Sequence, residues 1–477
     1  MKNPHYLTRL RNAALPGLPL WVFLSAYFSL TVLGNLLYGT SFGADLPAAN
    51  IKDFSWDKLH TSFGIAFWLL LFLPFLLAPI AFVVKQFATP VARSVAPIVP
   101  ELSKPAYLVI TIILYIYVIN ALTGANALDR LLSGNNAILA VESRFALLAD
   151  IGFEPQVAMK SLLVFLTVYG AIKGAREPGI FWQAVTCINV IVLTTCLILL
   201  NMKWPAVVFI LTLGICVAAI AKKRPYLKSI TVTASGILVY FMLATVLLRW
   251  FPAPQTEADL PTQEERYISH SDGIKINGHL LYETVAGSLV FAPRLAIGAI
   301  NRMAMAVPYY FDFSEIEGPS CGQELSRLWI KRDLACEPTL LVYTRMFGDD
   351  GFAGRGTAPA SVNIYGYALA GWAGAIVSTI IAIAVLGLFL ALWVPAQTNA
   401  VMAAAFIMGS YTAYFMSQLP IEGPIIYDHG MLWWALLVMA WTAAYWTFRL
   451  LTRHLPSRSI RHESRVGRMT SAGNEDA

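Results

Sequence analysis

Charge is what this sequence lacks most. Only 13% of its 477 residues are Asp, Glu, Lys or Arg, about half the roughly 25% of a soluble domain. With 57% hydrophobic residues and a mean hydropathy of +0.62, the chain cannot be a string of water-soluble cores. Cysteine is also scarce. Five are present, with neither a CxxC nor a Cys/His cluster, so no zinc or dithiol site is legible. No Asp-x-Asp motif occurs, Asp349-Asp350 sits in a Gly-rich turn, and Asp45, Asp53 and Asp57 are scattered, so no metal and no cofactor are expected. The formal net charge of +6 lies in short connectors and the tail. A nucleic-acid footprint would gather it into one patch, so that class is excluded.

What the sequence has is long apolar runs. Most are long enough to cross a hydrocarbon core of about 30 Å, and in lipid such runs must be helices because each backbone polar group needs a partner within the segment. The fold class expected is therefore an all-α polytopic membrane protein of about ten transmembrane helices. They fall at 18–39, 61–84, 106–125, 158–172, 180–201, 205–221, 229–248, 370–393, 399–419 and 430–448. The first run follows Lys2, Arg9 and Arg11 but is too long for a signal-peptide core. Only Lys160 is charged within these segments, near the outer end of the fourth, where its long stem is expected to snorkel to the interface.

Lys and Arg set the orientation. Lys85, Arg93 and Lys104, then Lys173 and Arg176, then Lys222, Lys223, Arg224 and Lys228 fall in alternate connectors. Arg449, Arg453, Arg458, Arg461, Arg465 and Arg468 follow in the tail. The other connectors hold fewer, so both termini are expected in the cytoplasm. Four regions result: a first bundle (1–249), a large outer loop (250–362), three last spans (363–448) and a basic tail (449–477).

The large loop precedes the eighth span, and loops of this length are usually functional. From Pro293 to Val307 it reads as an amphipathic helix with Arg294, Gly298, Asn301 and Arg302 on one side, ended by Pro308. It is expected at the outer membrane interface, its apolar face in lipid or against the spans. Cys321 and Cys336 share this loop. In an oxidising envelope compartment a bridge between them would close a loop of about fifteen residues, contributing on the order of 3 kcal/mol.

Ion-coupled transporters normally carry ionisable residues within their spans, so the chemistry is expected at the outer face. Arg294, Arg302, Arg345 and Arg355 suit a phosphate-bearing lipid because the planar guanidinium binds phosphate in a bidentate fork. The alternative is that they pair with Asp312, Glu315 and Glu317 or face water. His429 and Asp428 in the last outer loop, with Glu315 in the large one, are the candidates for acid–base work.

Two stretches resemble Wzy-type oligosaccharide repeat-unit polymerases, whose relatives include the O-antigen ligases within the GT-C-type membrane glycosyltransferases. The first runs from Asn301-Arg302-Met303 to Tyr309-Tyr310-Phe311, where that family has an arginine before an aromatic patch. The second comprises Ala358-Pro359-Ala360-Ser361, Tyr365-Gly366-Tyr367 and Gly371-Trp372-Ala373-Gly374, similar to the family's proline, tyrosine and fGxxG run. The resemblance implies glycosyl transfer at the periplasmic face of the bacterial inner membrane, between repeat units linked to undecaprenyl pyrophosphate. It also implies sugar contacts from Tyr309, Tyr310, Tyr365 and Tyr367, and work beside a flippase and a chain-length regulator. A ligase with a lipid A core acceptor and a lipid-linked oligosaccharide flippase are the alternatives.

Overall fold

The computed structural model describes residues 14–49, 51, 54–59, 62–133, 137–177, 179–200, 203–220, 225–249, 297, 300–320, 336–348 and 357–454. Among them every regular element is helical. In chain order we label α1 (Leu15–Tyr38), α2 (Ile65–Val95), α3 (Lys104–Gly124), α4 (Ala127–Ser133), α5 (Ala137–Ile151), α6 (Phe153–Arg176), α7 (Ile180–Leu199), α8 (Lys203–Ile220) and α9 (Pro225–Arg249). After the large loop's described parts, α10 (Ala306–Glu317) and α11 (Pro338–Phe347), come α12 (Val362–Ala391), α13 (Ala400–Met416), α14 (Glu422–Ile426) and α15 (Met431–His454).

Seven helices are long and apolar enough to cross a membrane: α1, α2, α3, α6, α7, α12 and the stretch from Glu422 to Thr452. Two shorter apolar helices, Trp204–Ile220 and Ala400–Met416, and the 25-residue α9 coincide with the other three expected segments. Pro79 interrupts the α2 ladder, separating Ile65–Leu77 from Pro79–Val95, because proline supplies no N–H.

Loop contacts sort into two ends. At one, Asn399 Nδ2 donates to the Ala96 and Val99 carbonyls, Trp441 to Pro100 O, and Lys173 bridges to Glu101 at 2.9 Å. At the other, Tyr38 donates to Asn301 Oδ1, Lys160 reaches Asp428, and Phe153 meets Trp433. The second end gathers the segments that the Lys/Arg asymmetry assigns to the outside.

The fourth expected span, the one with a charged residue inside it, lies deep in the bundle. α6 is far more buried than any other candidate span, packed among α3, α7, α8, α13 and α15. A helix that faces protein instead of lipid can keep polar residues, which lowers its hydropathy and makes it look marginal. Two lysines lie within it. Lys160 does not snorkel to the interface: it is 3% exposed and turned inward. Lys173, expected in a connector, is also buried, and it pairs with both Glu101 and Glu177.

The loop helix also differs from its expected form. Ile300 to Ala304 are helical, and α10 follows with Pro308 in its first turn. There the missing N–H has no carbonyl to lose, so proline does not end the helix. Its apolar residues face the spans: Asn35 Nδ2 donates to Ala304 O at 3.1 Å, and Gly34 leaves room for Ala304 and Ile300. Phe311 sits edge-on to Phe67 of α2 and stacks on Tyr367.

α12 is two helices. Ala370 and Gly371 leave helical geometry, Gly371 at φ 63, a region open to glycine and strained for other residues. The 362–369 segment folds back along 372–391, since Ser378 Oγ donates to Val362 O at 2.8 Å, far closer than one straight helix would allow. The eighth span therefore begins at the bend, where hydropathy places it. The preceding segment re-enters the bundle, with Asn363 donating to Tyr27 Oη and Leu70 O. Non-helical backbone at such depth is tolerated where protein buries it, and Ala358, Ala360 and Ser361 are all buried.

Gly366 and Gly374 make the fold-back fit. A Cβ on Gly374 would lie 2.1 Å from Gly366 O, inside any allowed contact. Gly374→Leu is therefore expected to destabilise by at least the roughly 1–3 kcal/mol of an overpacked core, while Ala373→Leu on the exposed side leaves stability unchanged. Thermal unfolding of the detergent-purified variants measures the difference, and equal midpoints would contradict the hairpin.

Candidate functional site

The site is assembled around an irregularity in α6. Residues Ala158–Leu162 form a π-turn, a feature common at functional positions, and Lys160 and Ser161 lie within it. Ser161 Oγ donates to Gly430 O at 3.0 Å, and Lys160 Nζ donates to Asp428 Oδ2 at 2.6 Å and to Gln156 Oε1 at 3.0 Å. Trp433 Nε1 donates to the carbonyls of Ile426 and Tyr427. The loop between α13 and α15 is thus held from α6 on one side and α15 on the other. Tyr411 of α13 closes the third side, its hydroxyl donating to Lys160 O.

Asp428 uses its second oxygen on the next residue, with His429 Nδ1 2.6 Å from Oδ1. A carboxylate at that distance favours the proton on Nδ1, leaving Nε2 as the acceptor in the neutral ring. Nε2 is buried and has no hydrogen-bond partner among the described residues. The ring rests on Phe415, with centroids 4.3 Å apart. Lys160, Asp428 and His429 are thus linked in series, and the series ends at Nε2.

Beside it stands a pair of cations. Arg302 lies over the Trp204 ring with its guanidinium carbon 4.1 Å from the centroid, a cation–π contact that fixes its position. Burial pulls Arg302 down to about 10, with Tyr414 opposing the shift and Arg144 adding to it. Burial also lowers Arg144, which lies against Phe145. Arg302 thus remains charged at neutral pH, and among the described residues neither arginine has a carboxylate partner. Two half-buried like charges without a counter-ion form a place for an anion. Tyr414, facing Arg302, is the chain neighbour of Phe415, which carries His429. Gln418 follows by four residues at the Tyr414 hydroxyl. It is 6% exposed.

The remaining expected residues form a second group. Arg345 bridges Asp312 at 3.3 Å and Glu317 at 2.6 Å, the pairing that was the alternative to phosphate binding. Glu315 accepts from Tyr367, Tyr365 donates to Glu337, and Tyr310 donates to Ala358 O at 2.7 Å. Tyr309, Tyr310, Tyr365 and Tyr367 are all buried. Three of these hydroxyls hold protein partners that dock the loop on α12. Arg294, Arg355 and Cys321 lie outside the described residues, and with them the Cys321–Cys336 pairing; Cys336 itself is buried. Cys187, Cys196 and Cys216 are free, the last two buried and Cys187 exposed.

Sequence reasoning missed Lys160, Arg144, Trp204, Tyr414 and Gln418. Lys160 carried a usable signal, because an ionisable residue inside a span is a functional candidate by default. The others come together only through folding. No protein-family model, curated protein or solved structure matches this chain.

The buried pair yields a prediction. Lys160→Met leaves Asp428 without its cation, and loss of one partner from a buried pair costs about 3–5 kcal/mol. The double variant Lys160→Met/Asp428→Leu should recover much of that stability. A double variant no more stable than the single one, in thermal unfolding of purified protein, would mean the two do not interact.

Proposed function

We propose that this protein is a membrane glycosyltransferase that polymerises oligosaccharide repeat units linked to undecaprenyl pyrophosphate. The observations that carry the reading are Arg302, held over the Trp204 ring without a carboxylate partner among the described residues, and the buried Asp428–His429 pair, whose Nε2 has no partner there. The resemblance of the Arg302 and Gly371 stretches to Wzy-type polymerases supports it independently. In this reading about ten helices cross the bacterial inner membrane, both termini are cytoplasmic, and the site faces the periplasm. Arg294 and Arg355 join the cations that receive the lipid, a Cys321–Cys336 bridge braces the loop, and a flippase and chain-length regulator work alongside.

The chemistry needs two things. The donor's anomeric C–O bond to the diphosphate must break, and an acceptor hydroxyl must lose its proton as it attacks that carbon. The leaving diphosphate takes the electron pair, and fixed cations stabilise the growing charge without reorganising. Arg302 and Arg144 supply them. His429 Nε2 accepts the hydroxyl proton, Asp428 stabilises the resulting imidazolium, and Lys160 holds Asp428 in place. A ligase would use the same machinery with a lipid A core acceptor, and the identity of the product separates the two.

Arg302→Ala should abolish polymer while leaving the protein in the membrane at normal abundance, since loss of one such donor costs on the order of 10² to 10³ in rate. Arg302→Lys should rescue only in part, because it keeps the charge and loses the fork. The length distribution of lipid-linked glycan in cells reports the outcome. Single repeat units without a ladder support the reading, and an unchanged ladder in Arg302→Ala would reduce Arg302 to an anchor.

A further inference from the structure

The loop between α13 and α15 meets the large loop through two carboxylates. Glu337 opens α11, its Oε1 accepting from Thr339 N and Thr339 Oγ1. Its other oxygen, Oε2, accepts from Tyr365 Oη at 3.3 Å, and Tyr365 belongs to the re-entrant half of α12. Glu422, the first residue of α14, faces the same hydroxyl and the same carboxylate. Three segments far apart in the chain therefore meet at one tyrosine: the large loop, the re-entrant segment and the loop that carries Asp428 and His429.

No cation balances these carboxylates. Among the described residues neither takes part in an ion pair. α13, and α15 as far as Trp446, pack against α14 and hold no Asp, Glu, Lys, Arg or His. Their titratable groups are Tyr411, Tyr414 and Tyr445, and Tyr427 of the loop itself lies near Tyr365. Hydrogens are equally short. A tyrosine hydroxyl carries one, and Tyr365 gives it to Glu337. A second carboxyl at that hydroxyl must bring its own. Burial raises Glu422 above the ordinary carboxylate value and Glu337 adds to the rise, against the opposing hydrogen bonds of its own backbone and of Tyr365.

We propose that Glu422, carrying its proton, donates to Tyr365 Oη while Tyr365 donates to Glu337, and that this chain of bonds is a pH-sensitive latch between the large loop and the loop that carries His429. The latched state holds one negative charge on three groups. Loss of the proton leaves two half-buried carboxylates facing each other without a cation, which favours separation. An acid held above its ordinary value in the closed state stabilises that state fully below the ordinary value. The stabilisation is lost as pH rises through the raised one. The latch therefore closes as the medium is acidified and opens as it turns alkaline. It rests on the fold and not on the reaction proposed above, so either can fail alone.

The experiment follows backbone hydrogen exchange of the full-length protein in detergent micelles, in peptides covering 337–348 and 420–429. It runs from about pH 5 to about pH 9, the range that buried carboxyls can reach. Each wild-type rate is divided by the rate of Glu422→Gln at the same pH. The glutamine keeps a donor for Tyr365 and cannot ionise. The ratio cancels the intrinsic pH dependence of exchange and the titration of Asp428 and His429, which both proteins share. It should stay near one at the acid end and rise by about fivefold or more at the alkaline end, within what contacting groups couple. Glu337→Gln, which keeps the acceptor for Thr339 and removes the facing charge, should flatten the rise. A ratio constant with pH would overturn the latch and leave Glu422 a packing residue. A rise just as large in Glu337→Gln would overturn the pairing of the two carboxylates.

Discussion

The buried ion pair of Lys160 and Asp428 is the constraint on which the rest of the outer end depends. An ammonium in a largely buried helix of a membrane bundle is costly unless a counter-charge meets it. Asp428 meets it at 2.6 Å, and to do so the last loop must fold down onto α6. That descent brings His429 onto Phe415 and presents its Nε2 to the interior. The π-turn at Ala158–Leu162 belongs to the same arrangement, since Lys160 and Ser161, both within it, each bond the loop.

Charge is divided between two regions in a way that suits different tasks. On the loop side, Arg345 is matched by Asp312 and Glu317, and the tyrosines are spent on carbonyls and carboxylates. Those contacts hold the loop against the re-entrant half of α12. Elsewhere, among the described residues, Arg302 and Arg144 have no carboxylate partner and His429 Nε2 has no hydrogen-bond partner. Buried polar groups are normally satisfied.

Much of the helical layout was legible because lipid imposes a simple rule on each segment separately. Hydropathy put the start of the eighth span at 370, where Ala370 and Gly371 break the helix. It could not register that 362–369 folds back, because that depends on Gly366 meeting Gly374 across the bend. Arg302 was legible from its place on an otherwise apolar segment, and Asp428 and His429 from their place in an outer loop. Lys160 was seen, yet its partner lies 268 residues away, and no local pattern announces such a contact. Trp204 and Tyr414 looked like ordinary span residues for the same reason. Arg345 could be read toward phosphate or toward Asp312 and Glu317, and only the fold places it beside the carboxylates.

The central claim is that these unmatched groups serve one glycosyl transfer, with His429 Nε2 as the proton acceptor. The most direct measurement reconstitutes purified protein in proteoliposomes with a lipid-linked repeat unit from its own host and follows release of undecaprenyl diphosphate together with chain growth. The account predicts that both appear in step, one lipid diphosphate released per unit added, and that His429→Gln lowers both rates equally by about 10² or more. Release and growth that continue undiminished in His429→Gln, or no release from the wild-type protein, would contradict it.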